Sequence, residues 1–253
     1  MNLTIRLPDA FVLHAFDRLE STNDEAKRLA EAGSPAGQVV WALEQTRGRG
    51  RYGRSWQSPP GNLYASVLLR PDCAMADVAQ LSLLASLALF DALAQLGPPQ
   101  PELALKWPND VLLAGAKTAG ILLEGAARAD GAAAWVIIGS GVNIVSFPGD
   151  TPYPATALAE RGFGTLTPST LLEAYLAALD SWLRRWRSQG FAPLREAWRA
   201  RSFNLGGPIR LRLEDGELQG RFVDLTPGGG LLLEQADGSR REIAAGDVLY
   251  GGL

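Results

Sequence analysis

The chain is poor in the residues that most often carry redox and metal chemistry. Among 253 residues there is one cysteine, Cys73, and one histidine, His14. A lone cysteine excludes an internal disulfide, which suits a reducing cytoplasm. One histidine and one cysteine are too few for a zinc site. A Ser-His-Asp triad would have to rest on His14, in a predicted strand whose neighbours offer it no partners. Met1-Asn2-Leu3-Thr4-Ile5-Arg6 lacks the basic and apolar regions of a secretory leader. A strong charge bias is missing too. The net charge of −3 argues against a global binder of nucleic acid or membrane surfaces. The most apolar stretch, Val78 to Leu96, is interrupted by Gln80, Ser82, Ser86, Asp91 and Gln95. It is predicted as a buried amphipathic helix rather than a membrane span. No internal repeat or low-complexity tract is present. These absences lead to the expectation of a soluble protein that is not a global binder of nucleic acid or membrane surfaces.

What is present suits one large domain with a small appendage. Hydrophobic residues make up 47% of the chain and include seven tryptophans, enough for a sizeable core. Leu13 to Leu19 reads as a strand leading into a helix capped by Ser21 or Thr22, which runs to Ala32 and stops at Gly33. Gln38–Glu44 and Asn62–Arg70 read as strands. Asp77 is the expected cap of the long helix, and Gly97 its end before a Pro-Pro turn. Leu103–Lys106 and Val111–Leu113 flank a turn at Trp107-Pro108-Asn109-Asp110. Ala119–Glu124 and Trp135–Gly139 are further strands, with a turn at Gly131 and an alanine-rich surface turn over Ala126–Ala134. Thr167 or Ser169 caps a helix to about Ser188, and a shorter helix follows Pro193. After Arg201 the texture changes. Pro208–Leu213, Gly220–Leu225, Leu231–Gln235, Arg240–Ile243 and Val248–Tyr250 read as short strands of a small barrel, separated by Gly-rich turns. The expected division is 1–203 and 204–253, and the expected class is α+β.

The segment Glu44-Gln45-Thr46-Arg47-Gly48-Arg49-Gly50-Arg51-Tyr52-Gly53-Arg54-Ser55-Trp56 crowds arginines and glycines into one loop. Each guanidinium can hold carboxylate or phosphate through two hydrogen bonds. Interleaved glycines allow close backbone approach and left-handed turns. Gly48 to Gly53 formally matches G-x-G-x-x-G, but a dinucleotide site needs a helix to open there, and Ser58-Pro59-Pro60-Gly61 is turn chemistry. Arg/Gly segments that bind RNA are usually repeated and disordered, unlike this single copy between strands. A plain surface turn would leave the arginines repelling one another without a partner. The loop is therefore expected to be mobile until an anionic ligand orders it.

A second motif narrows the choice. Lys106-Trp107-Pro108-Asn109-Asp110-Val111, followed by Lys117-Thr118-Ala119-Gly120-Ile121-Leu122, resembles one signature of the biotin protein ligases, and the Arg/Gly loop resembles the other. Ser21-Thr22-Asn23, Gln45, Trp56, Gly139-Ser140-Gly141-Val142-Asn143 and the small β domain match in order. The resemblance covers the chain from about Leu13. It implies a mixed β-sheet with helices, like the catalytic domain of class II aminoacyl-tRNA synthetases, plus an SH3-like β-barrel. It implies an enzyme that uses Mg²⁺-ATP to activate biotin as biotinyl-5′-adenylate. The biotin is then transferred to a lysine of a biotin carboxyl carrier protein, as in acetyl-CoA carboxylase.

By the same resemblance, Arg49 and Arg51 bridge the biotin carboxylate and the phosphate, Arg54 reaches the triphosphate, and Lys117 binds both carboxylate and α-phosphate. Ser21, Thr22, Asn23 and Gln45 surround the neutral ureido ring, although Ser21 and Thr22 also serve as helix caps. Gly48, Gly50 and Gly120 let the backbone approach biotin, unless they are ordinary turn glycines. Trp56 packs on the adenine and Asn143 hydrogen-bonds to it, the alternatives being a core tryptophan and a turn asparagine. Asn109 supports Mg²⁺-ATP or the incoming lysine. Asp110 is either the base that deprotonates that lysine or a structural aspartate, and Lys106 either meets phosphate or forms an internal ion pair. The metal ligands stay unassigned, as does the oligomeric state, a homodimer included. Arg47 stands where a small residue is expected, either strengthening triphosphate binding or pointing to solvent. Asp24 stands where glutamine is common. With the first strand at Leu13, the DNA-binding helix-turn-helix of some relatives has no room, so a ligase-only form is expected. The nearest rival is a lipoate ligase, and a rival of another class is an Arg/Gly-loop RNA-binding module.

Overall fold

The computed structural model describes residues 5–98 and 102–249, so Pro99 of the predicted turn and Tyr250 of the last predicted strand lie outside it. The larger part contains β1 (Val12–Leu19), α1 (Thr22–Glu31), β2 (Gln38–Gln45), β3 (Leu63–Leu69), α2 (Gln80–Leu96), β4 (Leu103–Lys106), β5 (Asp110–Leu113), β6 (Ala116–Ala127), β7 (Ala133–Val142), α3 (Pro168–Gln189) and α4 (Ala192–Arg199). Its strands form a seven-stranded sheet in the order β1-β2-β3-β7-β6-β5-β4. Only the β1–β2 pair is parallel.

Side-chain alternation along these strands builds two layers. Val39, Trp41, Val67, Val136 and Ile138 join the main core under α2 and α3, whereas Val40, Leu68 and Ile137 pack with Ala26 and Ala30 of α1 on the opposite face. α2 is buried nearly all round, from Leu81 to Leu93, as expected of a helix clasped between a sheet and another helix. The segment Met75–Leu96 is long and apolar enough to cross a membrane, but most of its apolar window is buried inside the fold.

Some elements differ from expectation. Asp77 lies in a 3-10 turn and does not cap α2, which starts at Gln80 without a side-chain cap; its carboxylate instead accepts from the Gln80 side-chain amide at 3.2 Å. The turn expected over Ala126–Ala134 is shorter than that stretch. The β6–β7 pairing runs out to Ala127 and Ala133, leaving only 128–132 to reverse the chain.

The smaller part is an SH3-like β domain of β8 (Pro208–Leu213), β9 (Gly216–Leu225), β10 (Leu231–Glu234), β11 (Arg240–Ile243) and β12 (Asp247–Val248). The strands pair antiparallel in the order β11-β10-β9-β8-β12. Closure of a barrel between β11 and β12 is not among the pairings of the described residues. The domain does not stand apart, because Ile209, Leu211, Phe222, Leu225, Leu231 and Val248 belong to the same apolar cluster as the main core. The Trp107 indole donates to the Gly229 carbonyl at 3.1 Å. Arg195 and Arg199 both reach Asp224 at 2.7 Å.

Because Trp107 is 2% exposed and bridges the two parts, Trp107→Ala is expected to cost about 3–5 kcal/mol. Denaturant unfolding followed by fluorescence and by far-UV dichroism should still give one coincident transition. Separate transitions for the two parts would contradict a shared core.

Candidate active site

The face of the sheet that carries α1 is only partly covered, because α1 has ten residues. Beyond its N-terminus the floor is made by Gly139 and Gly141 of β7 and Gly120 of β6. A Cβ on Gly139 would lie 2.1 Å from Asn23 Oδ1, and one on Gly141 would lie 2.6 Å from the Trp56 ring. Those absent side chains are what allow Asn23 and Trp56 to lie flat on the sheet.

At one end of the resulting pocket, polar groups from α1 and β2 fix one another. Ser21 Oγ accepts from the Asp24 N–H at 3.4 Å and caps the helix. Thr22 donates to Gln45 Oε1 through its N–H at 2.8 Å and its hydroxyl at 3.1 Å. Gln45 Nε2 donates to Ser58 Oγ at 2.9 Å, and that hydroxyl donates to the Trp56 carbonyl at 3.0 Å. Ser21, Thr22 and Asn23 are all nearly buried. Capping and lining the pocket therefore go together at Ser21.

The Arg/Gly segment doubles back as an irregular hairpin. Trp56 N–H donates to the Gly48 carbonyl at 2.9 Å and Gly50 N–H to the Arg54 carbonyl at 2.7 Å. Its tip is a 3-10 turn over Arg51–Gly53, with Tyr52 at φ 56° and Gly53 at φ 70°. Only Gly53 of the loop glycines supplies a left-handed conformation. Gly48 matters for proximity, since a Cβ there would meet the Trp56 carbonyl at 2.4 Å. The Tyr52 ring lies between Arg51 and Arg54, at 4.9 and 5.6 Å from their guanidinium carbons.

Each arginine of the loop meets a carboxylate. Arg47 pairs with Glu20 at 3.0 Å, Arg49 with Asp24 at 2.6 Å and Glu124 at 3.3 Å, and Arg51 and Arg54 with Asp247 at 3.0 and 2.9 Å. Mutual repulsion among partnerless arginines, the ground for expecting a mobile loop, is thus offset by acids from the β1–α1 connection, α1, β6 and β12. Arg47 and Glu20 are both well exposed, so Arg47 takes the solvent-facing alternative.

The β4–β5 hairpin places Lys106 opposite Asp110, and the β5–β6 pairing sets Asp110 beside Gly120. Asp110 lies 2.7 Å from Lys117 Nζ and 3.4 Å from Lys106 Nζ; Asp110 and Lys106 are buried and Lys117 is partly buried. Burial alone would push the Asp110 carboxyl up, but the ammonium groups of Lys117 and Lys106 outweigh it and hold it below its ordinary value. Burial pulls the Lys106 ammonium below its ordinary value, against the stabilising pull of Asp110. The Lys117 ammonium lies 5.5 Å from the centre of the Trp56 ring and 5.3 Å from that of Tyr153. The Trp56 indole N–H is buried without an acceptor among the described residues.

One pocket brings together Ser21, Thr22, Asn23, Gln45, Arg49, Gly50, Arg51, Arg54, Trp56, Asn109, Asp110, Lys117 and Gly120. Gly48 sits behind the loop rather than in that lining, and Asn143 is buried beneath, donating to the Thr156 carbonyl at 3.4 Å. Asn109 donates to the Ile121 carbonyl at 2.8 Å, and its Oδ1 accepts from Arg51 at 3.4 Å. Arg210, Arg212 and Asp247 of the small domain and Tyr153 also line the pocket, and sequence reasoning missed all four. Nothing in the local pattern of the short strands β8 and β12 marks those charges.

The sequence matches the Biotin/lipoate A/B protein ligase family over residues 54–200 and the Biotin protein ligase C terminal domain over residues 205–251. It is 42% identical to the biotin--[acetyl-CoA-carboxylase] ligase of Paracoccus denitrificans, covering 93% of this chain and 99% of that one. This chain belongs to the biotin protein ligases. Another relative in the family is the bifunctional ligase/repressor BirA of Bacillus subtilis, 34% identical over 93% of this chain and 73% of its own length. Among solved structures, the biotin protein ligase from Aquifex aeolicus in complex with biotin and ATP superposes with a TM-score of 0.78 at 29% identity, over 94% of this chain and 97% of that chain. The enzyme from Leishmania major in complex with biotinyl-5-AMP gives 0.63 at 28% identity, over 92% and 98%.

The Lys106–Asp110–Lys117 cluster is expected to make this biotin protein ligase acid-sensitive in a defined direction. A carboxylate whose folded pKa is depressed contributes stability that is complete above its unfolded value near 4 and is lost as pH falls through the folded value. Asp110→Asn is expected to cost about 3 kcal/mol at pH 7, because the buried Lys106 and the partly buried Lys117 lose their shared anion. The penalty should shrink when urea unfolding is repeated below pH 4. A penalty that stays constant into that range would contradict the depressed carboxyl.

Proposed function

We propose that the protein joins biotin to ATP as biotinyl-5′-adenylate and passes the biotinyl group to one lysine of the biotin carboxyl carrier protein of acetyl-CoA carboxylase. The observation that carries this is a single pocket with neutral hydrogen-bonding groups at one end and surplus cations at the other. Ser21, Thr22, Asn23 and Gln45 suit the uncharged ureido ring, with Gly48, Gly50 and Gly120 allowing the backbone to come close. Lys117 and Arg51 take the carboxylate and α-phosphate, and Arg54 takes the outer phosphates. Trp56, with Asn109 and with Asn143 behind it, holds the nucleotide. The complexes of relatives with biotin and ATP support this assignment.

In the first step a biotin carboxylate oxygen attacks the α-phosphorus and pyrophosphate leaves. Two like charges at contact repel by about 4 kcal/mol at an effective dielectric near 20. Fixed cations offset that repulsion, most of all as charge builds in the transition state. In the second step the carrier lysine attacks the acyl carbon, AMP leaves, and the amine loses a proton. We assign Asp110 to holding Lys117, because an acid between two ammonium groups is a weak base. Positioning carries both steps, with no covalent enzyme intermediate.

Magnesium would come with the nucleotide as Mg²⁺-ATP and would there supply neutralisation of phosphate charge. The acids of the pocket lining, Asp110 and Asp247, are both paired with cations. No cluster of three metal-ligating side chains occurs among the described residues. That donor set fits an ion carried on the phosphates. We further propose a catalytic unit over 1–203, an SH3-like unit over 204–253 and a cytoplasmic reaction. No DNA or membrane partner is part of this assignment, and a homodimer is compatible with it.

The test is ATP–pyrophosphate exchange with biotin, and with lipoate in parallel. Exchange is expected with biotin alone, and Arg51→Ala should lose at least about tenfold. Exchange with lipoate alone would move the protein to lipoate ligation. Silence with both, alongside ATP-independent RNA binding that weakens steeply with salt, would point to a nucleic-acid role.

A further inference from the structure

The cations of the pocket are not equivalent. Asp110 is shared by Lys106 and Lys117, and Asp247 is shared by Arg51 and Arg54, so each of these carboxylates meets two cations. Around Arg49 the proportion is reversed. Asp24 holds both terminal nitrogens of its fork, at 2.7 and 2.6 Å, and Glu124 accepts from one of them at 3.3 Å. One cation faces two anions. An incoming carboxylate is attracted where cations are in surplus and repelled where they are outnumbered.

The acids around Arg49 also lead inward. Glu124 Oε2 accepts from Asn23 Nδ2 at 2.6 Å. Asn23 Oδ1 lies 2.6 Å from the buried Ser66 hydroxyl, which lies 2.7 Å from Thr22 Oγ1. Thr22 in turn donates to Gln45. A continuous run of polar contacts therefore ties the loop to the groups assigned to the ureido ring.

We infer that Asp24 and Glu124 are positioning residues that make Arg49 an anchor for the Arg/Gly loop, leaving Arg51 and Lys117 as the cations that meet the substrate carboxylate. The inference rests on the biotin-activating function proposed above. The loop is fastened to α1 and β6 through Arg49, and the same fastening sets the orientation of Asn23 beside Thr22. Asp24, where glutamine is common in the resemblance, supplies the two-point half of the contact.

Calorimetric binding of biotin and of its alcohol analogue, in which CH₂OH replaces the carboxylate, separates the roles. Arg49→Gln and Asp24→Asn are expected to weaken both ligands by the same factor, about threefold to fivefold, the scale of a partly exposed ion pair. Asp24→Glu, which keeps the carboxylate, should recover most of that loss. Arg51→Gln should weaken biotin but not the alcohol. Glu124→Gln keeps an acceptor for Asn23 and tests the charge alone, and it too should weaken both ligands. The inference is overturned if Arg49→Gln weakens biotin while sparing the alcohol. Tighter biotin binding by Asp24→Asn would overturn it as well, because it would show that Asp24 competes for a substrate-binding arginine. Equal affinity of Arg49→Gln and wild type would also overturn it. Failure of the wild-type protein to bind biotin at all would instead remove the function on which it rests.

Discussion

A single buried carboxylate between two ammonium groups is the interaction around which the site is built. Asp110 cannot neutralise both Lys106 and Lys117, and the imbalance is the useful property. Removing charges from water is expensive, so the fold must hold an unbalanced group in place by other means. The hairpin pairing of β4 with β5 and the pairing of β5 with β6 do so, through backbone bonds that do not depend on the charges. Asp247 repeats the arrangement from the small domain with Arg51 and Arg54. Two such groups facing one pocket create a field for anions that exists before any ligand arrives.

Room for those anions comes from subtraction. A longer α1, or side chains at Gly120, Gly139 and Gly141, would complete the layer over the sheet and erase the pocket. The opposite face shows the completed alternative, with α2 and α3 laid across the strands and the core closed. One sheet thus has a face spent on stability and a face left open for binding.

Most of this was legible in the sequence where a local pattern forces a local structure. The strand runs, the Ser21 cap and the turn at Trp107–Asp110 each depend on neighbours in the chain. The Arg/Gly loop and the Lys-Trp-Pro-Asn-Asp motif are dense enough to announce anion chemistry without a fold. Less legible was anything set by distant partners. The acids that pair with the loop arginines come from the β1–α1 connection, helix α1, strand β6 and strand β12, and spacing alone cannot bring Asp247 to Arg51. Glu124 was within reach, since alternation along β6 from Gly120 puts it on the same face as the pocket floor. Asp77 was misjudged because a 3-10 turn intervened before the helix began.

The lining that runs from Ser21 to Leu249 has a consequence for synthesis. The loop leaves the ribosome before Asp247 and Val248, which emerge some two hundred residues later, about 20 seconds at ten residues per second. Any growing chain shorter than that has Arg51 and Arg54 without their shared acid and a pocket missing one wall. A reactive acyl adenylate made there would have no complete chamber around it. Placing part of the wall about two hundred residues downstream of the loop makes assembly of the whole pocket wait until that intervening chain has been made.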